Sequence, residues 1–234
     1  MAATARDMRK TVEKSLHSNN RAAARLAMND LPPATVANIL PAYLCSPDRT
    51  VKWRAVHAMG DALHLLADTD MEAARRTLRR LLWSLNDESG GIGWGAAEAM
   101  GEAVARPESI AHEFGPILMA LLREDGYHLQ YAPLPMQRAA LWAVCRAAQA
   151  RPGLLNDQSE HLVEYLDSKD PAVRALTARA MGLLHASFAK PNLEALVSDH
   201  APAELDQPEG VDNTSVSEQA RYALRALAQI SKRG

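Results

Sequence analysis

VKWRAVHAMG (Val51–Gly60) and VRALTARAMG (Val173–Gly182) are the stretches that decide the fold of this 234-residue chain. Each begins on valine, places a small residue four positions later (Ala55, Thr177) and an alanine three after that (Ala58, Ala180), and ends on Met-Gly. Three further stretches fall in the same register: IGWGAAEAMG (Ile92–Gly101), MQRAALWAVC (Met136–Cys145) and VSEQARYALR (Val216–Arg225). They put Ala96 and Ala99, Ala140 and Ala143, and Ala220 and Ala223 at the matching places. Steps of four and three residues align these small side chains on one narrow helical stripe, which suits close helix packing. A weaker copy, NRAAARLAMN (Asn20–Asn29), keeps Ala24, Ala27 and Met28.

The five starts lie 41, 44, 37 and 43 residues apart, which leaves room for a second helix between successive copies. Apolar stripes at helical spacing occupy those intervals: Val36, Ile39, Leu40 and Tyr43; Leu78, Leu81, Leu82 and Leu85; Ile110, Phe114, Ile117, Leu118 and Leu121; Leu155, Leu162, Val163 and Leu166; Leu193, Leu196 and Val197. Each repeat therefore reads as a helical hairpin. Composition agrees, with 47% hydrophobic residues but only 5% aromatics, which favours closely spaced helices over stacked β-sheets.

DPAVRALTARAMGLL (Asp170–Leu184) and DRTVKWRAVHAMGDAL (Asp48–Leu63) resemble the second helix of HEAT repeats, in particular the short bacterial HEAT-like type related to phycobilisome-lyase repeats. The resemblance covers roughly residues 15–230. It implies an all-α, right-handed α-α superhelix of about five to six helical hairpins. The whole chain, 1–234, is expected to be one such domain, with 1–31 an N-terminal capping hairpin. Residues 198–215, acidic and proline-bearing, are expected to be a mobile insertion.

Positions three, seven and eleven of each copy lie opposite the small-residue stripe. They carry Trp53, His57 and Asp61; Trp94, Glu98 and Glu102; Arg138, Trp142 and Arg146; Ala175, Arg179 and Leu183; Glu218, Tyr222 and Ala226. In the proteins this chain resembles, second helices line the concave side, so the row becomes an expected partner-binding groove for a protein or peptide. Large aromatics among charges are the side chains that anchor partners. Tyr127 and Tyr131, in the segment REDGYHLQYAPLP, are expected to join the same surface. Acidic residues in the earlier copies and arginines in the later ones either divide the groove electrically or pair with one another across it.

Two features stand outside the row. Gly90, Gly91, Gly93 and Gly95 gather before Ala96, where the backbone either turns tightly or is approached by a neighbour or an anion. Arg75, Arg76, Arg79 and Arg80 lie opposite a leucine stripe, as a solvated face partly neutralised by Glu72 or as a docking patch for an acidic partner or for an acidic loop of this chain.

No catalytic constellation is expected. GGIGWG lacks the Gly-Lys-Ser/Thr of a phosphate loop, no GxSxG or HExxH occurs, and a lone His112-Glu113 pair cannot build a di-iron site. No cofactor and no metal are expected. HEAT-like enzymes, either DNA glycosylase-like or chromophore-lyase-like, remain the alternative that the resemblance implies. A net charge of −2 and the acids Asp61, Glu98 and Glu102 disfavour nucleic acid. Cys45 and Cys145 form no paired motif, and no signal core or membrane-length apolar run is present, so a reducing, cytoplasmic location is expected.

Overall fold

The computed structural model describes residues 4–85, 94–123 and 132–230. Two compact units divide the chain, Met1–Ile110 and Ala111–Gly234.

In the first unit, α1 (Ala5–Leu16) and α2 (Arg21–Asn29) pack together. Thr4 opens α1 with a capping box, its hydroxyl accepting from the Asp7 amide while the Asp7 carboxylate accepts from the Thr4 amide. α3 (Pro33–Ile39) and the short α4 (Pro41–Leu44) lead into α5 (Arg49–Thr69), which packs on α3, α4, α6 (Met71–Leu85) and α7 (Ala96–Val104). Asp48 caps α5, its carboxylate accepting from the amides of Thr50 and Val51. The stripes predicted from sequence are the core here: Val36, Leu40, Leu78, Leu81, Leu82 and Leu85 on the first helices, and Ala55, Ala58, Ala96 and Ala99 on the second, are all buried.

α8 (Glu108–Ala120) carries the boundary between the units. The second unit continues with α9 (Leu134–Ala150), α10 (Pro152–Leu155), a 3₁₀ run over Asn156–Asp167, α11 (Pro171–Leu183), α12 (Lys190–Ala195) and α13 (Val216–Ile230). Ala140, Ala143, Thr177, Ala180, Ala220 and Ala223 are wholly buried, again on the predicted stripe. The helix expected from the Leu155, Leu162 and Leu166 stripe is largely 3₁₀ in form, an uncommonly long run of that tighter geometry. Its leucines are buried nonetheless.

The segment expected to be a mobile insertion is ordered. Residues Pro202–Gln207 (β1) and Gly210–Ser215 (β2) form a two-stranded antiparallel hairpin, with Pro202 opposite Ser215 and Gln207 opposite Gly210. β1 packs on α11, and its inward residues Ala203 and Leu205 are buried between exposed Glu204 and Asp206. Acidic composition suggested disorder, but the period-two burial of two apolar side chains anchors the strand.

The closing glycine of the repeat pattern acquires a physical reason in α11. A Cβ at Gly182 would lie 2.7 Å from the Ala223 Cα, so only glycine lets α11 and α13 approach this closely. Gly153 has no atom within 4 Å of such a Cβ. Helix propensity alone favours alanine over glycine by about 1 kcal/mol. We expect Gly182→Ala to reverse that sign and destabilise by about 1–3 kcal/mol, the usual cost of overpacking. Gly153→Ala should be neutral or slightly stabilising. Urea unfolding midpoints of the two variants check the contrast.

Candidate functional site

The row at positions three, seven and eleven is where partner contacts were expected, and in the first unit its charges are spent on one another. Glu102, on α7, is completely buried. One of its oxygens lies 3.1 Å from His57 Nδ1 on α5, and the other accepts from Arg106 Nη1. Arg106 also donates from Nη1 to the Glu102 carbonyl at 2.8 Å and from Nε to Asp61 at 3.1 Å. Asp61 in turn accepts from Arg25 Nε of α2 at 2.8 Å. The chain Arg25–Asp61–Arg106–Glu102–His57 thus ties three helices together. A burial this complete is tolerable for a carboxylate only because both its oxygens are met by polar partners, one of them the Arg106 guanidinium.

Gly60 makes room for this network, since a Cβ there would lie 2.2 Å from Arg106 Nη1. One turn up, Glu98 is 3% exposed and accepts from Lys52 Nζ at 2.8 Å. Its second oxygen is buried without a hydrogen bond among the described residues, a cost of about 1–3 kcal/mol. The Lys52 ammonium also stands 5.2 Å from the centre of the Trp53 ring.

The aromatics of the row separate. Trp53 is 2% exposed, a correction to its expected place on a partner surface. The reason is packing: α5 has neighbours on most of its circumference, so position three of its copy faces another helix rather than solvent. Trp94, at position three of the next copy, is 41% exposed. Gly95 follows it with φ of 80°, a left-handed conformation that favours glycine, and a Cβ there would sit 2.4 Å from the Leu44 carbonyl oxygen. At this glycine the close approach comes from α4. Gly90, Gly91 and Gly93, like Tyr127 and Tyr131, lie outside the described residues.

In the second unit the hairpin takes over the row. Trp142 is 6% exposed, and its indole N–H donates to the Gln207 side chain of β1 at 3.1 Å. Arg179 donates to Asp212 of β2 at 2.6 Å and to Gln219 at 3.0 Å. Arg174 donates to Asp199, just before β1, at 2.8 Å. The expected exposure of Trp142 and Arg179 is therefore corrected: an extended segment of the same chain covers them. Arg138 forms a two-pronged pair with Asp170, with Nε 3.1 Å from Oδ1 and Nη2 on Oδ2. Arg146 is half-buried, and Tyr222 is 40% exposed.

Asp170 also caps α11, accepting from the Val173 amide at 2.8 Å. Burial pushes its carboxyl upward, but the Arg138 guanidinium and the helix amides outweigh it and hold the group below its ordinary value. Cys145 of α9 is buried with its thiol pushed up to about 12, mainly by burial, and donates to the Leu176 carbonyl. It is inert as a nucleophile. Among the described residues no group of three or more His, Cys, Asp or Glu could hold a metal ion, and no helix is long and apolar enough to cross a membrane.

Sequence reasoning overlooked Arg25, Arg106, Asp170 and Gln207. Arg106 stands one turn beyond Glu102, at the next place in the row, so following the row one position further would have found it; Asp170 opens a quoted repeat copy, at the place of a helix cap.

Helical hairpins in a shared register, packed through small residues, make this an all-α fold of helical repeats. The chain is similar to the crystal structure of an engineered protein from the Northeast Structural Genomics Consortium, with TM-score 0.62 and 19% identity, covering 98% of this chain and 91% of that one. A second engineered protein from the same consortium is similar at TM-score 0.47 and 18% identity, over 94% and 68% of the two chains. A HEAT-like repeats protein of the archaeon Thermococcus onnurineus NA1 is similar at TM-score 0.48 and 14% identity, over 98% and 82%. At these identities the likeness concerns the fold. No protein-family model and no curated protein matches the sequence.

Two outcomes follow from the geometry. A carboxyl held low in the folded state stabilises above its unfolded pKa, and that contribution is lost as pH falls through the folded value. We expect Asp170→Asn to lower stability at neutral pH and to flatten the decline of the urea midpoint below the ordinary aspartate pKa of 3.8. Asp212→Lys should loosen the hairpin, so that the Ala203 and Leu205 amides exchange faster with solvent deuterium while Ala178 and Ala180 of α11 keep their protection.

Proposed function

We propose that this chain is a non-enzymatic interaction scaffold that binds a protein or peptide partner through its second helices. In the HEAT repeats that the chain resembles, these helices line the concave side. The observation that carries the reading is that each unit leaves one large aromatic of the row open to solvent at a second helix, Trp94 in the turn just before α7 in the first and Tyr222 on α13 in the second. Trp and Tyr bury much area at low entropic cost, which makes them effective anchors. The charges around them are engaged within the chain, so they shape and stiffen the surface more than they attract. His57, with 40% of its side chain exposed beside Glu102, supplies a polar contact at the rim. Arg138, its side chain 42% exposed, supplies another. The cytoplasm is the compartment this reading expects.

The hairpin supports the same reading by example. An extended segment bearing a carboxylate and an amide oxygen already satisfies Trp142 and Arg179, which is the chemistry a bound peptide would bring to such a face.

A photo-crosslinking residue placed at position 94 or at position 222 should form adducts with one common protein, whereas placement at the exposed Phe188 should not. With that partner purified, Trp94→Ala and Tyr222→Ala should each weaken binding about tenfold or more. A partner whose affinity is indifferent to both changes would remove the second helices from the proposal.

A further inference from the structure

The outer face of α6 joins two features that the second-helix reading does not use. Ala73, Ala74, Thr77, Leu78, Leu81, Leu82 and Leu85 turn inward. On the opposite side Glu72, Arg76, Arg79, Arg80 and Trp83 are exposed, and helical spacing puts them on one stripe. Trp83 is 81% exposed, the most open large apolar side chain among the described residues. Arg79 and Arg75 share Glu72 at 3.1 and 3.4 Å, and Arg76 reaches Asp70 at 3.9 Å. Arg80 donates to the neutral side-chain oxygen of Asn38 on α3 at 2.8 Å. Among the described residues, these four guanidinium groups meet two carboxylates, Asp70 and Glu72, which leaves this face of α6 positive in a chain whose net charge is −2.

We propose that this face of α6 is a second docking surface, and that it takes an acidic segment of a partner protein with an apolar side chain among its carboxylates. Guanidinium forks match carboxylates in two-pronged geometry, and an exposed indole gains most when an apolar group covers it. Glu72 decides between anionic partners. It stands at the N-terminal end of the stripe, where a polypeptide can present a neutral residue and a continuous phosphate backbone cannot. Nor does the face suit a membrane surface, because the leucines of α6 are buried and a single indole is left to insert. The proposal uses neither Trp94 nor Tyr222, so its success or failure is independent of the second-helix proposal.

The test uses the whole chain and an array of short synthetic peptides rich in Asp and Glu, each carrying one Leu, Phe or Trp. The tightest binder is then titrated by fluorescence anisotropy. Binding that weakens as salt rises, falls about a hundredfold in the Arg76→Glu, Arg80→Glu double variant, and falls about tenfold in Trp83→Ala is the expected result. All three side chains are exposed, and circular dichroism checks that the variants keep their helix content. Absence of any binding peptide overturns the proposal, as does binding that is unchanged in both variants. Tighter binding of a single-stranded oligonucleotide of equal charge would assign the face to nucleic acid instead. A signal that tracks self-association in sedimentation would assign it to a second copy of the chain.

Discussion

Close approach of neighbouring second helices is the constraint on which the rest of the structure depends. Alanine, threonine or glycine at the contact positions brings backbones within reach of one another, as at Gly182 against Ala223. At that separation little water remains between the helices. Polar side chains flanking the stripe are then forced either outward or into pairs, because an unpaired buried charge costs far more than a paired one. The chain of ion pairs from Arg25 to Glu102, with His57 at its end, is thus a consequence of the small-residue stripe. It fixes which helices neighbour α5, while the alanines fix how near they come.

Much of the fold was legible in the sequence because its signal is periodic. Steps of three and four located the buried stripe correctly in all five copies, and the intervening leucines located the first helices. The fate of the opposite row was less legible. Register places Trp53 and Trp94 alike, but Trp53 lies inside α5 while Trp94 stands in the turn ahead of α7, beyond the left-handed Gly95. Spacing along the sequence does not say where a helix begins or what a neighbour lays over each residue, and the two differ in exposure by a wide margin. The pairing of Asp61 with Arg106 is illegible for a related reason, since it joins residues 45 positions apart whose meeting depends on the crossing of two helices.

The hairpin shows a different failure. Five acids and no lysine or arginine over residues 198–215 read as solvated chain, and composition outweighed the quieter alternation of Ala203 and Leu205 with Glu204 and Asp206. Those acids have cationic partners: Asp199 and Asp212 meet Arg174 and Arg179 of α11. Acidity of a segment is therefore informative only beside the basic residues that the fold brings to it.

The base of that hairpin is pinned, with the Val216 amide donating to the Ala201 carbonyl at 3.2 Å and the Ser217 amide to the Asp199 carbonyl at 2.8 Å. Its two ends therefore meet side by side within the last repeat, and the chain leaves and re-enters the helical array at nearly one point. Whatever is spliced into the tip at Pro208 and Glu209 adds only the slowly growing entropy of a longer loop. The repeat thus contains a natural cassette, where length and sequence can diverge, or a foreign domain can be grafted, while α11 and α13 remain in contact.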